Sequence, residues 1–336
     1  MVLTQFLELW NNDNPQMLVH TSGSTGKPKP LWVDKCRMEA SAKATCQYLK
    51  LKAGDKALLC MSLDYIAGKM MAVRALVAKL QLIVVEPNGH PLKNMEEDID
   101  FAAMVPLQVF NSLQVPAERL RLMRIKHLII GGSAIEADLA QELRNFPNAV
   151  WSTYGMTETL SHVALRRLNG PEASEWYAPL PGVEVKLNSK GCLVINAPHV
   201  CQEPLETNDI AIIKQAIDVN EEDLKQHSVE QGVVFRILGR LDNVLVSGGI
   251  KIQIEEVERE LYPHLNTPYR IIKIKDQKFG EVVGLEFVPL SGQNPNEATT
   301  MAKQICQQVL PKYWQPKAYF AVNEIERTPT GKIKRG

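Results

Sequence analysis

The sequence predicts an α/β fold built around a mostly parallel β-sheet covered by helices. Short apolar runs alternate with stretches of helical spacing through the first two-thirds of the chain, and this alternation is typical of parallel sheets. From about residue 177 the pattern changes to a β-rich section, and after residue 242 strands and helices recur in a smaller unit. At roughly 150 residues per domain, the 336 residues indicate about two domains. We therefore expect a large domain over 1–241 and a small α+β domain over 242–336.

The individual elements are predicted from hydrophobic period. Strands are expected at the short apolar runs 17–19, 56–61, 82–86, 127–130 and 149–153. Helices are expected where apolar residues recur every three or four positions, at 35–49, 66–80 and 137–145. The β-rich section contains a predicted hairpin, 183–187 and 192–196, and a strand pair, 210–213 and 233–238. In the small domain we expect helices 255–261 and 298–310 and strands 269–275, 281–289 and 317–322.

Composition argues against several classes of protein. Lysine plus arginine and aspartate plus glutamate both total 38, so neither a nucleic acid nor an anionic membrane is expected as a partner. The six cysteines form no C-x-x-C pair, which argues against a zinc site or a disulfide framework. No apolar run reaches the roughly 18 residues of a membrane span, and the start lacks a basic leader. These features predict a soluble, cytoplasmic protein without integral membrane association.

A loop rich in glycine and hydroxyl residues follows the first predicted strand. Backbone N–H groups, hydroxyls and ammonium groups in such a loop can hold phosphate oxygens. Thr21 and Pro28 stand where a Walker loop needs glycine and a hydroxyl residue, so the loop is not of that type. The alternative is a flexible polar turn. The candidate phosphate-binding residues are Thr21, Ser22, Gly23, Ser24, Thr25, Gly26, Lys27 and Lys29.

Five further segments follow this loop. G-G-S-A over 131–134 and T-Y-G-M-T-E-T over 153–159 each come after a predicted strand. T-N-D over 207–209, a glycine-containing segment over 238–251 and R-T-P-T-G-K-I over 327–333 come later. Together with T-S-G-S-T-G-K-P-K over 21–29, these segments resemble, in order, the motifs of the acyl-adenylate-forming family. That family includes acyl-CoA synthetases, the adenylation domains of peptide synthetases and luciferases.

The resemblance implies a nucleotide site in the large domain. Tyr154 would stack on adenine, Thr157 would contact phosphate and Glu158 would hold Mg²⁺. An aromatic face, a hydroxyl donor and a hard carboxylate oxygen suit these roles. The adenine-side loop would contribute small residues, and Asp209 would bind the ribose hydroxyls. The remaining residues assigned to the nucleotide from these two loops are Gly132, Ser133, Ala134, Gly155 and Met156.

The resemblance also implies a mobile C-terminal domain. Arg240 would contact the ribose, and Asp242 would be the hinge about which the small domain turns. Gly248 and Gly249 would line the pantetheine tunnel of coenzyme A. Lys332 would be catalytic, since an ammonium group suits the charge that develops at phosphorus. The implied reaction uses ATP, Mg²⁺ and coenzyme A to convert a small carboxylic acid to an acyl-adenylate and then to its thioester.

Two departures from the family pattern stand out. Asn208 replaces the glycine of the family's T-G-D motif, which weakens the assignment of Asp209. The phosphate loop begins at Thr21, whereas relatives usually have a long stretch before it. This predicts an N-terminally shortened large domain, either a short natural form or a fragment. Because a missing layer exposes sheet edge or apolar surface, a homodimer is expected.

The acid is suggested by a narrower resemblance. Y-G-M-T-E-T-L-S-H over 154–162 is similar to the Y-G-M-T-E-T-x-S-Q of o-succinylbenzoate–CoA ligases of menaquinone biosynthesis, and 63–74 resembles their L-x-H-x-S-G segment with a later arginine. This places Tyr65, Gly68, Lys69 and Arg74 at the acyl site, where Lys69 or Arg74 could hold a second carboxylate. The alternatives are another aryl or acyl acid, transfer to a carrier-protein thiol, a non-catalytic nucleotide-binding regulator or an inactive fragment.

Overall fold

The computed structural model describes residues 1–20, 30–216, 232–326 and 333–334. These residues form two compact units. The first consists of Met1–Lys186, Val194–Leu205 and Ile213–Arg236. The second consists of Leu187–Leu193, Glu206–Ile212 and Ile237–Gly336.

A seven-stranded sheet is the centre of the first unit. Its order is β4-β3-β5-β6-β7-β8-β9, in which β3 to β7 pair in parallel and β8 and β9 are antiparallel. The central strands are almost wholly buried, as expected for a sheet covered on both faces. The strands are β3 (Lys56–Leu59), β4 (Gln81–Val84), β5 (Phe101–Met104), β6 (His127–Ile130), β7 (Ala149–Gly155), β8 (His162–Arg167) and β9 (Ala178–Pro179).

Helices connect the parallel strands. Prolines occupy the first position of two consecutive helices, where the missing N–H costs nothing and the fixed φ suits the first turn. A continuous apolar core joins the sheet to these helices, with Leu58, Met104 and Leu128 among its buried members. The helices of this unit are α1 (Leu3–Asn11), α2 (Lys35–Tyr48), α3 (Ile66–Ala78), α4 (Pro106–Gln114), α5 (Pro116–Arg124) and α6 (Ala137–Leu143).

Two smaller sheets lie outside this arrangement. β1 (Gln16–His20) and β2 (Pro30–Asp34) pair antiparallel on either side of the predicted phosphate loop. A four-stranded sheet has the order β10-β11-β12-β13. Its strands are β10 (Glu184–Leu187), β11 (Cys192–Asn196), β12 (Leu205–Gln215) and β13 (Val233–Arg240).

The second unit has its own sheet and its own core. The sheet has the order β15-β14-β17-β16, and β18 pairs in parallel with β17. α7 buries Ile254, Val257 and Leu261, which helical spacing places on one face. The elements are β14 (Val244–Ser247), β15 (Ile250–Gln253), α7 (Ile254–Leu261), β16 (Tyr269–Asp276), β17 (Gly280–Phe287), α8 (Pro295–Val309) and β18 (Ala318–Ala321).

The predicted fold class is confirmed: a mostly parallel sheet covered by helices is followed by a β-rich section and by a small α+β unit. The mobility of that unit and a hinge at Asp242 stay predictions. Across the described ranges, no helix is long and apolar enough to cross a lipid bilayer.

Candidate active site

Two predicted nucleotide segments meet at one edge of the seven-stranded sheet. β6 ends at Ile130 and leads into the G-G-S-A segment, while β7 ends at Gly155 and leads into a short 3-10 turn, Thr157–Thr159. The two strands are parallel neighbours, with Ile130 opposite Ser152. Gly132, Ser133 and Ala134 therefore follow the carboxyl end of β6, and the segment from Tyr154 to Glu158 spans the adjacent carboxyl end of β7. Open α/β sheets bind ligands beyond this edge.

Gly131 allows the two segments to approach closely. A Cβ atom at residue 131 would lie 2.1 Å from Thr153 Oγ1. That hydroxyl donates a hydrogen bond to the carbonyl of Ile130 at 3.2 Å, which holds it in place. The first glycine of G-G-S-A thus has a packing role.

Gly131→Ala is expected to lower the free energy of unfolding by about 1–3 kcal/mol, because the new methyl group overlaps the Thr153 hydroxyl. Thr153→Ala alone should cost only about 1 kcal/mol, the value of one hydrogen bond. In the double variant the overlap is gone, and much of the Gly131→Ala loss should return. Urea unfolding of the four proteins measures this coupling. Additive losses would show that Thr153 is not the group that excludes a side chain at 131.

An aromatic cluster surrounds Tyr154. Its ring centroid lies 5.2 Å from that of Phe235 and 5.8 Å from that of Tyr177. Tyr177 and Phe235 stack on each other at 5.6 Å, and the Tyr177 hydroxyl lies 2.8 Å from Ser152 Oγ. This cluster could not be predicted from the sequence, because Tyr177 and Phe235 are far apart along the chain and join through an isolated β-bridge. The cluster orients the ring that is predicted to stack on adenine.

The turn after β7 is held by its own hydrogen bonds. The backbone N–H of Met156 donates to Thr159 Oγ1 at 2.9 Å, and that hydroxyl lies 2.7 Å from the carbonyl of Ser161. Thr157 is buried, whereas Glu158 is exposed. A Cβ atom at Gly155 would lie 2.3 Å from the Ser161 carbonyl oxygen, so this turn folds tightly back on β7.

Glu158 is suited to a metal ion that arrives with its own oxygen ligands. In the part of the chain that is described, no three His, Cys, Asp or Glu side chains form a metal-binding group. Mg²⁺ commonly binds through one or two carboxylates plus the phosphates of its substrate. A single exposed carboxylate at the end of β7 fits that mode, and it does not fit a resident metal held by protein ligands alone.

A buried arginine lies beside this turn. Arg74 of α3 is 2% exposed and donates from Nη2 to the hydroxyl of Ser161. Its Nε has no hydrogen-bond partner, and no carboxylate lies within ion-pair distance of its guanidinium, among the residues that are described. Burial lowers the pKa of Arg74 to about 10, so the group is still charged at neutral pH. An unpaired buried cation is costly, and an anionic ligand would offset that cost.

Lys69, the other predicted cation of the acyl site, is already bound to backbone. It is 1% exposed, and its Nζ donates to the carbonyls of Leu63 at 2.6 Å and Asp64 at 3.2 Å. Gly68 lies against the same segment, since a Cβ atom there would be 2.3 Å from the carbonyl oxygen of Ser62. Burial lowers the pKa of Lys69. These contacts hold the turn before α3, where Tyr65 is half exposed.

The second unit brings together three more predicted residues. Arg240 Nη2 lies 2.9 Å from Asp242 Oδ2, and Arg240 Nη1 lies 3.5 Å from Asp209 Oδ1. T-N-D lies within β12 and does not form a turn, and the backbone N–H of Asp209 donates to Thr207 Oγ1 at 3.1 Å. Motifs some thirty residues apart thus form one charged cluster. Gly248 and Gly249 follow β14 in the same unit, both with positive φ.

Two parts of the predicted site lie outside the described residues. These are the phosphate loop 21–29 and the loop that contains Lys332. Their roles stay predictions. The described site therefore consists of the nucleotide-side segments, the buried Arg74 region and the Asp209–Arg240–Asp242 cluster.

Comparison with known proteins identifies the family. Residues 5–198, more than half of the chain, match the family model described as AMP-binding enzyme. The chain belongs to the AMP-binding enzyme family, which confirms the resemblance drawn from its motifs.

Two curated relatives match most of this chain. The 2-succinylbenzoate–CoA ligase of Salmonella typhimurium is 29% identical over 285 residues, which cover 83% of this chain and 60% of that protein. The Escherichia coli protein of the same name is 28% identical over 264 residues, covering 77% of this chain and 55% of its own. The chain thus spans less than two thirds of the length of these curated relatives.

Solved structures agree with this assignment. An AMP-forming acyl-CoA synthetase/AMP-acid ligase II-like protein from Dyadobacter fermentans has a TM-score of 0.64 and is 32% identical, covering 98% of this chain and 90% of that one. The o-succinylbenzoate CoA synthetase of Bacillus subtilis, solved with an acyl-adenylate intermediate, has a TM-score of 0.71 at 21% identity over 94% of this chain and 67% of that one. The second likeness shows the shared fold.

Proposed function

We propose that the protein is an ATP-dependent, AMP-forming acid–CoA ligase whose acid is o-succinylbenzoate. The observation that carries the choice of acid is the buried Arg74 beside the Tyr154–Ser161 turn, a cation that has no carboxylate partner among the described residues. A substrate with one carboxylate for reaction and a second for recognition meets this requirement. The two curated relatives named above are ligases for such an acid.

Arg74 is the stronger of the two candidate cations. Lys69 donates to two backbone carbonyls, whereas Arg74 donates to the Ser161 hydroxyl and its Nε has no partner in the described part of the chain. An arginine fork can also bind a carboxylate with two parallel hydrogen bonds. Lys69 and Gly68 then shape the turn that precedes the acyl site.

In the proposed mechanism the substrate carboxylate attacks the α-phosphorus of Mg-ATP and pyrophosphate leaves. Tyr154 orients the adenine, Thr157 and Glu158 hold phosphate and Mg²⁺, and Lys332 stabilises the charge at phosphorus. The small domain then turns about Asp242. The thiol of coenzyme A attacks the acyl carbon and AMP leaves.

Pyrophosphate release with Mg-ATP tests this proposal. The assay compares o-succinylbenzoate with fatty, aryl and amino acids, with and without coenzyme A. Release with o-succinylbenzoate, followed by thioester when coenzyme A is added, is the expected result. Activity with a different acid keeps the class and discards this substrate. A thioester formed on a carrier protein but not on coenzyme A identifies the other acceptor, and no release with any acid supports a regulator or an inactive fragment.

A cytoplasmic homodimer remains part of the proposal. ATP and coenzyme A would be available in that compartment, and the exposed Leu107, Phe110 and Leu120 on α4 and α5 support contact with a second copy. Sedimentation at micromolar concentration is expected to give a dimer. A stable monomer would contradict it.

A further inference from the structure

Arg74 is connected to a chain of polar side chains in the first unit. Its Nη2 donates to Ser161 Oγ, which lies 3.4 Å from His162 Nδ1. His162 Nε2 lies 3.1 Å from Thr45 Oγ1, and that hydroxyl donates to the carbonyl of Ser41 at 3.2 Å. Thr45 and His162 are both buried. The chain thus runs from α3 through the start of β8 to α2.

The direction of each hydrogen bond follows from the number of protons available. Thr45 has one hydroxyl proton and gives it to Ser41, so its oxygen accepts from His162 Nε2–H. The neutral ring then has a lone pair on Nδ1, which accepts the hydroxyl proton of Ser161. The lone pairs of Ser161 Oγ are left for Arg74. Each group in this chain donates in the same direction.

The surroundings favour the neutral ring. Burial, together with the nearby Arg74, holds the pKa of His162 well below its usual value. A protonated ring would place a second buried cation beside Arg74 and would remove the acceptor that Ser161 uses. Cys46 of α2, which follows Thr45 in the sequence, has its pKa raised by burial and is neutral as well.

We propose that His162 is a positioning residue for the acyl site. As a neutral imidazole it takes the hydroxyl proton of Ser161 and thereby fixes the Ser161 oxygen that holds the Arg74 guanidinium for the substrate's second carboxylate. This inference rests on the proposed function for the identity of that carboxylate. His162 acts through Ser161 and Arg74 and does not itself contact the reacting atoms.

Steady-state kinetics with o-succinylbenzoate test this role. His162→Leu removes both hydrogen bonds, and we expect the KM for o-succinylbenzoate to rise about tenfold, with the KM for ATP and kcat within about threefold of the parent. His162→Gln supplies one donor and one acceptor and should restore the KM to within about threefold. Equal rises in both KM values, or an unchanged KM for the acid, would overturn the proposal.

A double-variant cycle distinguishes the loss of this hydrogen-bond chain from general damage to the core. Thr45→Val breaks the same chain at its other end, so its effect on the KM for o-succinylbenzoate should not add to that of His162→Leu. Ser112→Ala is the matched control, since Ser112 of α4 is fully buried and its hydroxyl donates to Glu118 of α5, away from this hydrogen-bond chain. It should leave the KM for the acid unchanged. Additive effects of Thr45→Val and His162→Leu would contradict a single chain.

A readout independent of activity distinguishes this proposal from the proposed function. Long-range ¹H–¹⁵N spectra of the histidine side chains, assigned by the signal that His162→Gln removes, should show His162 at pH 7 with its proton on Nε2. Thr45→Val should shift the ring toward the Nδ1–H form. A ring that already has its proton on Nδ1 would overturn the proposal even in an active enzyme. An Nε2–H ring in a protein that releases no pyrophosphate would contradict only the proposed function.

Discussion

Arg74→Met is expected to lower kcat/KM for o-succinylbenzoate by about 100-fold, or ~2.7 kcal/mol, while leaving the protein as stable as before or more stable. The loss follows because the second carboxylate would enter a buried region with no cation to meet it. The stability result follows because the parent buries a charge that no carboxylate offsets within the described residues, and methionine fills similar space without that cost. Pyrophosphate release and thermal unfolding measure the two effects on the same samples.

Two variants make this test specific. Arg74→Lys keeps the charge but loses the two-pronged geometry, so it should recover only part of the activity. Arg166→Met is a matched control, because Arg166 is a largely buried arginine of the same unit that already has a carboxylate partner, Glu175 at 2.7 Å. Arg166→Met should lower the free energy of unfolding and leave the KM for o-succinylbenzoate unchanged. A loss of stability in Arg74→Met without any change in the KM for o-succinylbenzoate would make Arg74 a structural residue.

Hydrophobic period predicted most of the elements but missed the helices α1, α4 and α5 and several short strands, and three of these strands share a physical cause. β5 (Phe101–Met104) is entirely buried, but it is only four residues long and follows an acidic stretch. β2 (Pro30–Asp34) begins with proline, a weak strand signal that is tolerated because β2 is an edge strand, paired with β1 alone among the strands that the structure describes. β8 contains a short apolar run before two arginines and is defined by its antiparallel pairing with β7. Short strands depend on their neighbours, which a local pattern does not contain.

In the candidate site, too, some features could be predicted from the sequence and others could not. Motif order alone placed Tyr154, Thr157 and Glu158 in one segment, and the structure brings Arg240 within ion-pair distance of Asp209 and Asp242. The nucleotide roles of Asp209 and Arg240 and the hinge role of Asp242 stay predictions. The partners of these residues were not predictable. Tyr177 and Phe235 join Tyr154 only through tertiary folding, and Thr45 meets His162 across 117 positions.

The orphaned buried charge is also a tertiary property. The sequence favoured neither Lys69 nor Arg74 as the cation for the second carboxylate, since both follow the same turn. Their hydrogen bonds distinguish the two residues. The Lys69 ammonium donates to two backbone carbonyls of its own turn, whereas the Arg74 guanidinium donates to the hydroxyl of Ser161. Residue type predicts which side chains can bind an anion. A buried cation with an unsatisfied hydrogen-bond donor indicates which of these side chains an anion would stabilise.

Lys332→Ala is expected to slow adenylation by about 100- to 1000-fold, or ~2.7–4 kcal/mol, while thioester formation from preformed acyl-adenylate stays within about threefold of the parent. The separation follows from the proposed roles. Lys332 would act on the charge at the α-phosphorus in the first half-reaction, and the turn about Asp242 would remove it from the site before the thiol attacks.

The two half-reactions can be measured apart on one protein. Pyrophosphate release reports the first, and mixing synthetic o-succinylbenzoyl-adenylate with coenzyme A reports the second. Lys334→Ala is the matched control, because it removes a lysine two positions along whose ammonium lies 3.5 Å from Glu326 and is exposed; both half-reactions should survive it. Equal loss of both steps in Lys332→Ala would contradict the domain turn, because a residue needed throughout cannot have left the site. Selective loss of the first step would support two arrangements of the small domain, one for each bond that the enzyme makes.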